Sequence, residues 1–189
     1  MDAFYTENIV TEKYGYNMTI NLYQDTNAPN PFDEFDTLGT LETFTSATEY
    51  RERIEQLDKE RSIFVEGSTL RTEYVIYASH ASIRTAYNVK RLTKKTLAKA
   101  FDCLTSERAI YENWLNGGVT GYIVTDDETG EEIDSCWGFY DDDYDEHVLE
   151  AARVAAENYR RPIPAWAKNW MLLPGLTAEQ IGNPFLRVA

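Results

Sequence analysis

Alternation of apolar and polar residues predicts the strands of this chain. Between residues 16 and 23, Met18, Ile20 and Leu22 alternate with Asn and Thr, a pattern typical of a strand with one buried face. Runs rich in β-branched and aromatic residues predict other strands, which lie at 38–44, 62–66 and 71–79.

The clearest local signal is a hairpin in the second half of the chain. Val119–Thr125 and Glu131–Phe139 have strand character and are joined by a short turn whose Gly130 stands where a positive φ is usually needed. Two segments have weaker patterns. Residues 1–15 are predicted to be loose or to lie at a sheet edge, and residues 84–89 are predicted to be extended.

Apolar residues at three- and four-residue spacing predict three helices. The longest spans about 94–115, with Thr93 as its N-cap and Gly117-Gly118 at its end. Ser46 or Thr48 caps an earlier helix that reaches about Arg61. A final helix at about 144–159 buries Val148, Ala152 and Ala155.

These elements together predict the α+β class, with an antiparallel sheet and about three helices packed on one face. The length of 189 residues suits one such domain at 1–161. Residues 162–189 form a Pro/Trp-rich extension that is too apolar for a solvated tail, so we expect it to pack on the domain or on a partner. Its candidate oligomer or partner anchors are Trp166, Trp170 and Leu172.

Composition adds a strong charge. The chain has 18 Lys and Arg against 32 Asp and Glu, a formal charge of −14, which phosphate backbones and anionic lipids would repel. We therefore expect no direct binding to nucleic acid or to a membrane surface. No apolar run is long enough to cross a bilayer and no secretory signal is evident, so a cytoplasmic location is expected.

The acids are concentrated in one part of the chain. Residues 117–151 contain no Lys or Arg but hold twelve acids: Asp126, Asp127, Glu128, Glu131, Glu132, Asp134, Asp141, Asp142, Asp143, Asp145, Glu146 and Glu150. The helix macrodipole explains one or two acids before the last helix, but not five in six positions. An acidic face that imitates DNA phosphates is one hypothesis, a solvated surface is the main alternative, and cation binding is a third.

The basic residues are segregated as well. Residues 74–101 contain no acid, although they include Arg84, Lys90, Arg91, Lys94, Lys95 and Lys99. Neutralisation of the acidic face by these lysines would count against the DNA-mimic hypothesis.

No motif in the chain predicts catalysis, a metal site or a cofactor. Asp141-x-Asp143-x-Asp145 begins like a calcium loop, but Glu146 stands where glycine is needed and Ala152 where the bidentate acid is needed. Cys103 and Cys136 have no zinc, redox or nucleophile spacing and are expected to be buried. A metal-dependent hydrolase is kept as the enzymatic alternative.

Two strings resemble a known group of proteins. Phe35–Leu41 (FDTLGTL) and Asp134–Tyr140 (DSCWGFY), with Trp114–Val124 between them, are similar to segments of uncharacterised acidic proteins of bacteriophages and other mobile elements. The resemblance spans about residues 16–158, although this chain has Phe35 for Trp and Thr37 for Asn. It implies a phage-type origin and supplies no catalytic residues. Structural roles are also predicted for the strings, with Gly39 and Gly138 at bulges and Trp137 in the core.

We therefore expect a non-enzymatic protein of the host cell cytoplasm that inhibits a nucleic-acid-handling defence protein, of the anti-CRISPR or anti-restriction type. Its partner would be a host protein with a basic nucleic-acid-binding groove. The predicted contact residues are Asp126, Asp127, Glu128, Glu131, Glu132, Asp141, Asp142, Asp143, Asp145 and Glu146. The alternative is an assembly module that dimerises through the C-terminal Trp-rich segment.

Overall fold

The computed structural model describes residues 2–140 and 144–162, and within them seven strands and five helices alternate along the chain. The strands are β1 (Tyr5–Val10), β2 (Asn17–Gln24), β3 (Thr40–Phe44), β4 (Ile63–Ser68), β5 (Glu73–Ala78), β6 (Thr120–Asp126) and β7 (Glu132–Phe139). The helices are α1 (Pro31–Glu34), α2 (Ala47–Glu60), α3 (His80–Ala86), α4 (Lys94–Leu115) and α5 (Tyr144–Asn158).

The predicted α+β class is confirmed, because antiparallel sheets combine with several helices. The strands form two sheets rather than the single predicted one, with strand orders β1-β2-β6-β7 and β3-β5-β4. The chain also separates into two compact units. Within the described residues, unit 1 comprises 2–24, 120–137 and 145–162, and unit 2 comprises 25–119, 138–140 and 144.

In unit 1, α5 lies over one face of the four-stranded sheet. Met18, Ile20 and Leu22 are completely buried on this face, as the alternation in β2 predicts. Glu7 stands opposite Ile20 in the β1–β2 register, so its side chain shares that face. Arg153 of α5 binds both carboxylate oxygens of Glu7 at 2.8 Å, which fixes the helix over the sheet.

In unit 2, helices pack on both faces of the three-stranded sheet rather than on one face. Tyr74 and Ile76 of β5 join a buried cluster with Ala100, Leu104 and Tyr111 of α4. The alternate residues of β5 face α2, where the Arg53 guanidinium lies 4.7 Å from the ring centroid of Tyr77.

That second face carries a compact polar network. Arg53 binds both carboxylate oxygens of Glu42 at 2.7 and 2.9 Å, and the Tyr77 hydroxyl donates to the same carboxylate at 2.8 Å. Hydrogen bonding from Arg53 holds the pKa of Glu42 below its usual value. The network therefore joins α2 to strands β3 and β5.

Most predicted elements are confirmed, including the two capped helices. Ser46 accepts from the Glu49 N–H at 3.4 Å, and Thr93 accepts from the Thr96 N–H at 3.2 Å. The extended piece predicted at 84–89 is wrong, because α3 and its C-cap occupy most of it. Ser79 caps this helix by accepting from the Ser82 N–H at 3.1 Å. The polar N-terminal segment supplies the edge strand β1.

Glu107 of α4 holds the loop that precedes β3. Its carboxylate accepts from the N–H groups of Leu38 and Gly39 at 2.5 and 2.9 Å. A Cβ added at Gly39 would come within 2.4 Å of the Ile76 side chain and 2.8 Å of Leu104, so the backbone lies closer to α4 than another residue would permit. The glycine of the Leu-Gly-Thr string therefore has a structural role, as a close approach rather than a bulge.

Removing the charge of Glu107 should weaken unit 2. We expect E107Q to lower the free energy of unfolding by about 1–3 kcal/mol, because two N–H groups lose a charged acceptor and one acceptor oxygen becomes a donor. D102N removes an exposed carboxylate from the same helix and should change stability by less than about 0.5 kcal/mol. Urea denaturation followed by circular dichroism measures both, and equal losses would contradict this role for Glu107.

Candidate acidic interface

The β6–β7 hairpin of unit 1 carries the first predicted acidic cluster. Its turn is closed by the Asp126 N–H, which donates to the Glu131 carbonyl at 2.9 Å, and by Gly130, which has the predicted positive φ of 71°. Four carboxylates at this turn are exposed to solvent. They belong to Asp127, Glu128, Glu131 and Glu132, a set we call the acidic turn.

Asp126 differs from its neighbours because it is completely buried. It follows Tyr122 and Val124 on the inward face of β6, so strand alternation carries its side chain into the core. Arg161, just beyond α5, binds its two carboxylate oxygens at 2.5 and 2.7 Å, and the Glu128 N–H donates to it at 2.9 Å. The prediction that Asp126 contributes to a contact surface is therefore wrong.

The buried pair is supported on both sides. The Arg161 guanidinium lies 4.2 Å from the ring centroid of Tyr16, and it also binds the carboxylate of Glu128. Burial raises the pKa of Asp126, but hydrogen bonds from Arg161 and from the Glu128 N–H more than offset this, so the pKa lies below its usual value. Asp126 thus remains a carboxylate in the interior.

Two acids of the turn are held in fixed positions. Asp127 accepts from the Thr19 hydroxyl at 2.6 Å, and its N–H donates to the Asn17 carbonyl at 3.1 Å. Glu128 is held by Arg161 with its side chain half exposed. These contacts orient the carboxylates while leaving them accessible to a partner.

The second predicted acidic cluster is described only in part. Glu146 is exposed near the start of α5. The side chains of Asp141, Asp142, Asp143 and Asp145 lie outside the described residues, and so do Trp166, Trp170 and Leu172. Of the ten predicted contact acids, the described structure therefore brings together the four of the acidic turn.

Unit 1 has few cations to balance its acids. Its described residues include thirteen Asp and Glu but only four Lys and Arg. Arg161 is engaged by Asp126 and Glu128, and Arg153 by Glu7. The acidic turn consequently stands on a unit with a large excess of negative charge.

Sequence reasoning missed the exposure of two residues in strand β7 of the hairpin. Trp137 was expected in the core but is 41% exposed, resting 6.0 Å from Tyr23 between ring centroids. A Cβ at Gly121 would come within 2.4 Å of its indole, so the ring lies directly over that glycine.

Cys136 is exposed and Cys103 half-buried, so the expected burial of Cys136 is wrong. Gly138 has a φ of 81°, a conformation that favours glycine.

Two open grooves of about 550 and 820 Å³ lie among the described residues of unit 2, and neither is lined by a His or a Cys. In the larger groove, the Tyr74 hydroxyl donates to Glu112 at 2.6 Å. Burial and this hydrogen bond raise the pKa of Tyr74, so the hydroxyl stays protonated at neutral pH. Among the described residues, no group of three or more His, Cys, Asp and Glu is arranged to hold a metal ion.

Comparisons with protein-family models, with curated proteins and with solved structures find no match to this chain. None of the helices in 2–140 and 144–162 combines the length and the apolar character needed to cross a membrane.

The pairing of Asp126 with Arg161 makes the stability of unit 1 dependent on pH. Because the pKa of Asp126 is lower in the folded than in the unfolded chain, the stabilisation is complete above the unfolded value of about 3.9 and is lost as the pH falls through the folded value. We expect D126N to flatten this loss and, near neutral pH, to cost about 3–5 kcal/mol, because Arg161 loses its buried partner and keeps only the half-exposed Glu128. Denaturant titrations between about pH 2 and 7 measure both effects.

Two further variants make this prediction specific. D126N/R161M removes both charges and should recover much of the stability lost in D126N, because no buried ion is left alone. D127N changes an exposed carboxylate of the same turn and should retain the acid dependence of the parent chain. If the free energy of unfolding of D126N falls with pH as it does in the parent chain, the Asp126–Arg161 pair is not the source of the pH dependence.

Proposed function

We propose that this chain is a phage or mobile-element protein that binds and inhibits a host nucleic-acid-handling defence protein, of the anti-restriction or anti-CRISPR type. The acidic turn occupies a basic groove of that protein in place of nucleic acid. The observation that carries the proposal is the set of four exposed carboxylates on one hairpin of a unit that has few cations.

Electrostatics gives the acidic turn the properties of a phosphate substitute. Duplex DNA carries a negative charge about every 1.7 Å along its axis, so a groove that binds it is lined with cations. Carboxylates entering such a groove gain attraction along its length and associate rapidly, with a strong dependence on salt. Glu131 and Glu132 supply unpaired charge at the hairpin, since neither has an ion pair among the described residues.

Pre-organisation favours a contact surface over a solvated loop. The Asp127 carboxylate is anchored to Thr19 and the Glu128 carboxylate to Arg161, so little side-chain freedom is lost when a partner binds. The net charge of Asp126, Glu128 and Arg161 together is still negative. The resemblance of the Leu-Gly-Thr and Asp-Ser-Cys-Trp-Gly-Phe strings to proteins of mobile elements implies a phage-type origin, which is consistent with this role.

Capture of partners on the immobilised chain from a bacterial lysate, followed by a salt step, is the first experiment. We expect a nuclease or CRISPR effector to be retained at low salt and released at high salt, because screening weakens contacts between charged surfaces. Recovery of proteins without basic nucleic-acid grooves, or retention that is insensitive to salt, would contradict the proposal.

Charge reversal at the acidic turn tests the contact residues. D127K/E131K/E132K should require on the order of 10²-fold more protein for half-inhibition of DNA cleavage by the captured enzyme, because like charges at an interface cost several kcal/mol. E52K/E55K/D58K makes the same change in net charge on exposed positions of α2 and should inhibit normally. Circular dichroism verifies the folding of both variants, and equal inhibition by the two would remove the acidic turn from the mechanism.

A further inference from the structure

The six basic residues of the acid-free stretch gather at one corner of unit 2. This set, which we call the basic corner, comprises Arg84, Lys90, Arg91, Lys94, Lys95 and Lys99. It holds a third of the Lys and Arg in the chain within 16 residues of sequence. All six are exposed, and none forms an ion pair with an acid among the residues that the structure describes.

Backbone and side-chain contacts fix the shape of this corner. The Val89 N–H donates to the Arg84 carbonyl at 3.0 Å, which brings Lys90 back towards the end of α3. The Tyr87 hydroxyl donates to the Lys99 carbonyl at 3.3 Å, so the connection between α3 and α4 lies against the second turn of α4. The backbone segments that carry the cations are therefore held close together.

Apolar residues between the cations anchor the corner to the core. Ile83 is completely buried, and Tyr87, Leu92 and Leu97 pack against the same cluster as Ala100. Because these side chains point inward, the intervening cations are held on the solvent side by a fixed backbone. Such a surface presents its charge without the entropy loss of ordering a flexible tail.

Two features distinguish the basic corner from ordinary surface charge. Outside the corner, five of the ten described Lys and Arg, including Arg53, Arg153 and Arg161, bind carboxylates, whereas none of the six in the corner does. Lys94 and Lys95 also occupy the first turn of α4, where the positive end of the helix dipole disfavours cations by about 0.3–1 kcal/mol each. Cations retained at an electrostatic cost, and left unpaired, indicate an anionic partner.

The residues among the cations favour nucleic acid over protein as that partner. Asn88 is exposed at the corner, and amide groups beside Lys and Arg are usual donors to phosphate oxygens. Protein interfaces instead need an apolar centre and are depleted in Lys. Phe101, 49% exposed two residues beyond Lys99, offers a ring on which an unpaired base can stack.

We propose that the basic corner binds the phosphate backbone of single-stranded nucleic acid. The net charge of −14, which argued against such binding, is an average over the whole chain. Charges more than about 8 Å away are largely screened at physiological salt, so the local surface governs contact with a strand. This binding is separate from the acidic turn and does not depend on the proposed inhibition.

Fluorescence anisotropy with a labelled oligothymidylate of about 20 nucleotides tests the proposal. At physiological salt the full chain should bind with a Kd between about 10⁻⁴ and 10⁻⁶ M, and six phosphate contacts should give a slope of about −4 for log K against log salt. No change in anisotropy up to about 10⁻⁴ M protein, the weak end of non-specific binding, would overturn the proposal.

Matched variants assign the binding to the corner. K94Q/K95Q removes two cations and should weaken binding roughly 10- to 100-fold and reduce the salt slope by about 1.4. The control R51Q/K59Q makes the same charge change at exposed positions of α2 and should bind like the parent chain. F101A should weaken binding further by about fivefold or more through loss of stacking. Equal binding by the two double variants would overturn the proposal. So would loss of self-association by K94Q/K95Q in sedimentation velocity with no loss of oligonucleotide binding, because the corner would then be a protein contact.

Discussion

A carboxylate remains charged in a protein interior only where a cation or several hydrogen-bond donors replace its lost hydration, and unit 1 is organised around this constraint. Strand alternation carries Asp126 into the core, and Arg161, which follows the last helix, neutralises it. The same guanidinium covers Tyr16 and binds Glu128 at the base of the turn. Arg161 therefore connects the end of α5 to the last residue of β6, to the residue before β2 and to the hairpin that carries the exposed acids.

Acids thus have two different roles in this chain, which its net charge does not distinguish. Asp126, Glu42 and Glu107 are internal acceptors, held by arginines or by backbone N–H groups. The acids of the hairpin face solvent, and the basic corner lies on the other unit. Segregation of acids and bases along the chain gives the two units local surfaces of opposite sign.

Sequence patterns predicted the elements whose signals are local. Met18 and its neighbours in β2, the capped helices and the Gly130 hairpin all follow from spacing or from a single side-chain contact. The number of sheets depends on contacts between distant segments, which periodicity does not encode. The run of acids around Asp126 predicts a surface position. However, Asp126 lies two residues after Val124 in the same strand and therefore on the same, buried face. Its partner Arg161 is 35 residues away and carries no motif, so only the folded chain identifies it.

The contact between Gly39 and Glu107 has a consequence for how this protein can diverge. Any side chain at position 39 would collide with Ile76 and Leu104. Loss of the Glu107 carboxylate would leave two backbone N–H groups without their acceptor. Substitutions at surface positions around this contact are tolerated, because they change the free energy of unfolding little. Distant homologues that share almost no other identity should therefore still have a glycine ahead of the first strand of this sheet and an acid midway along the long helix. That pair of positions offers a signature by which they can be recognised.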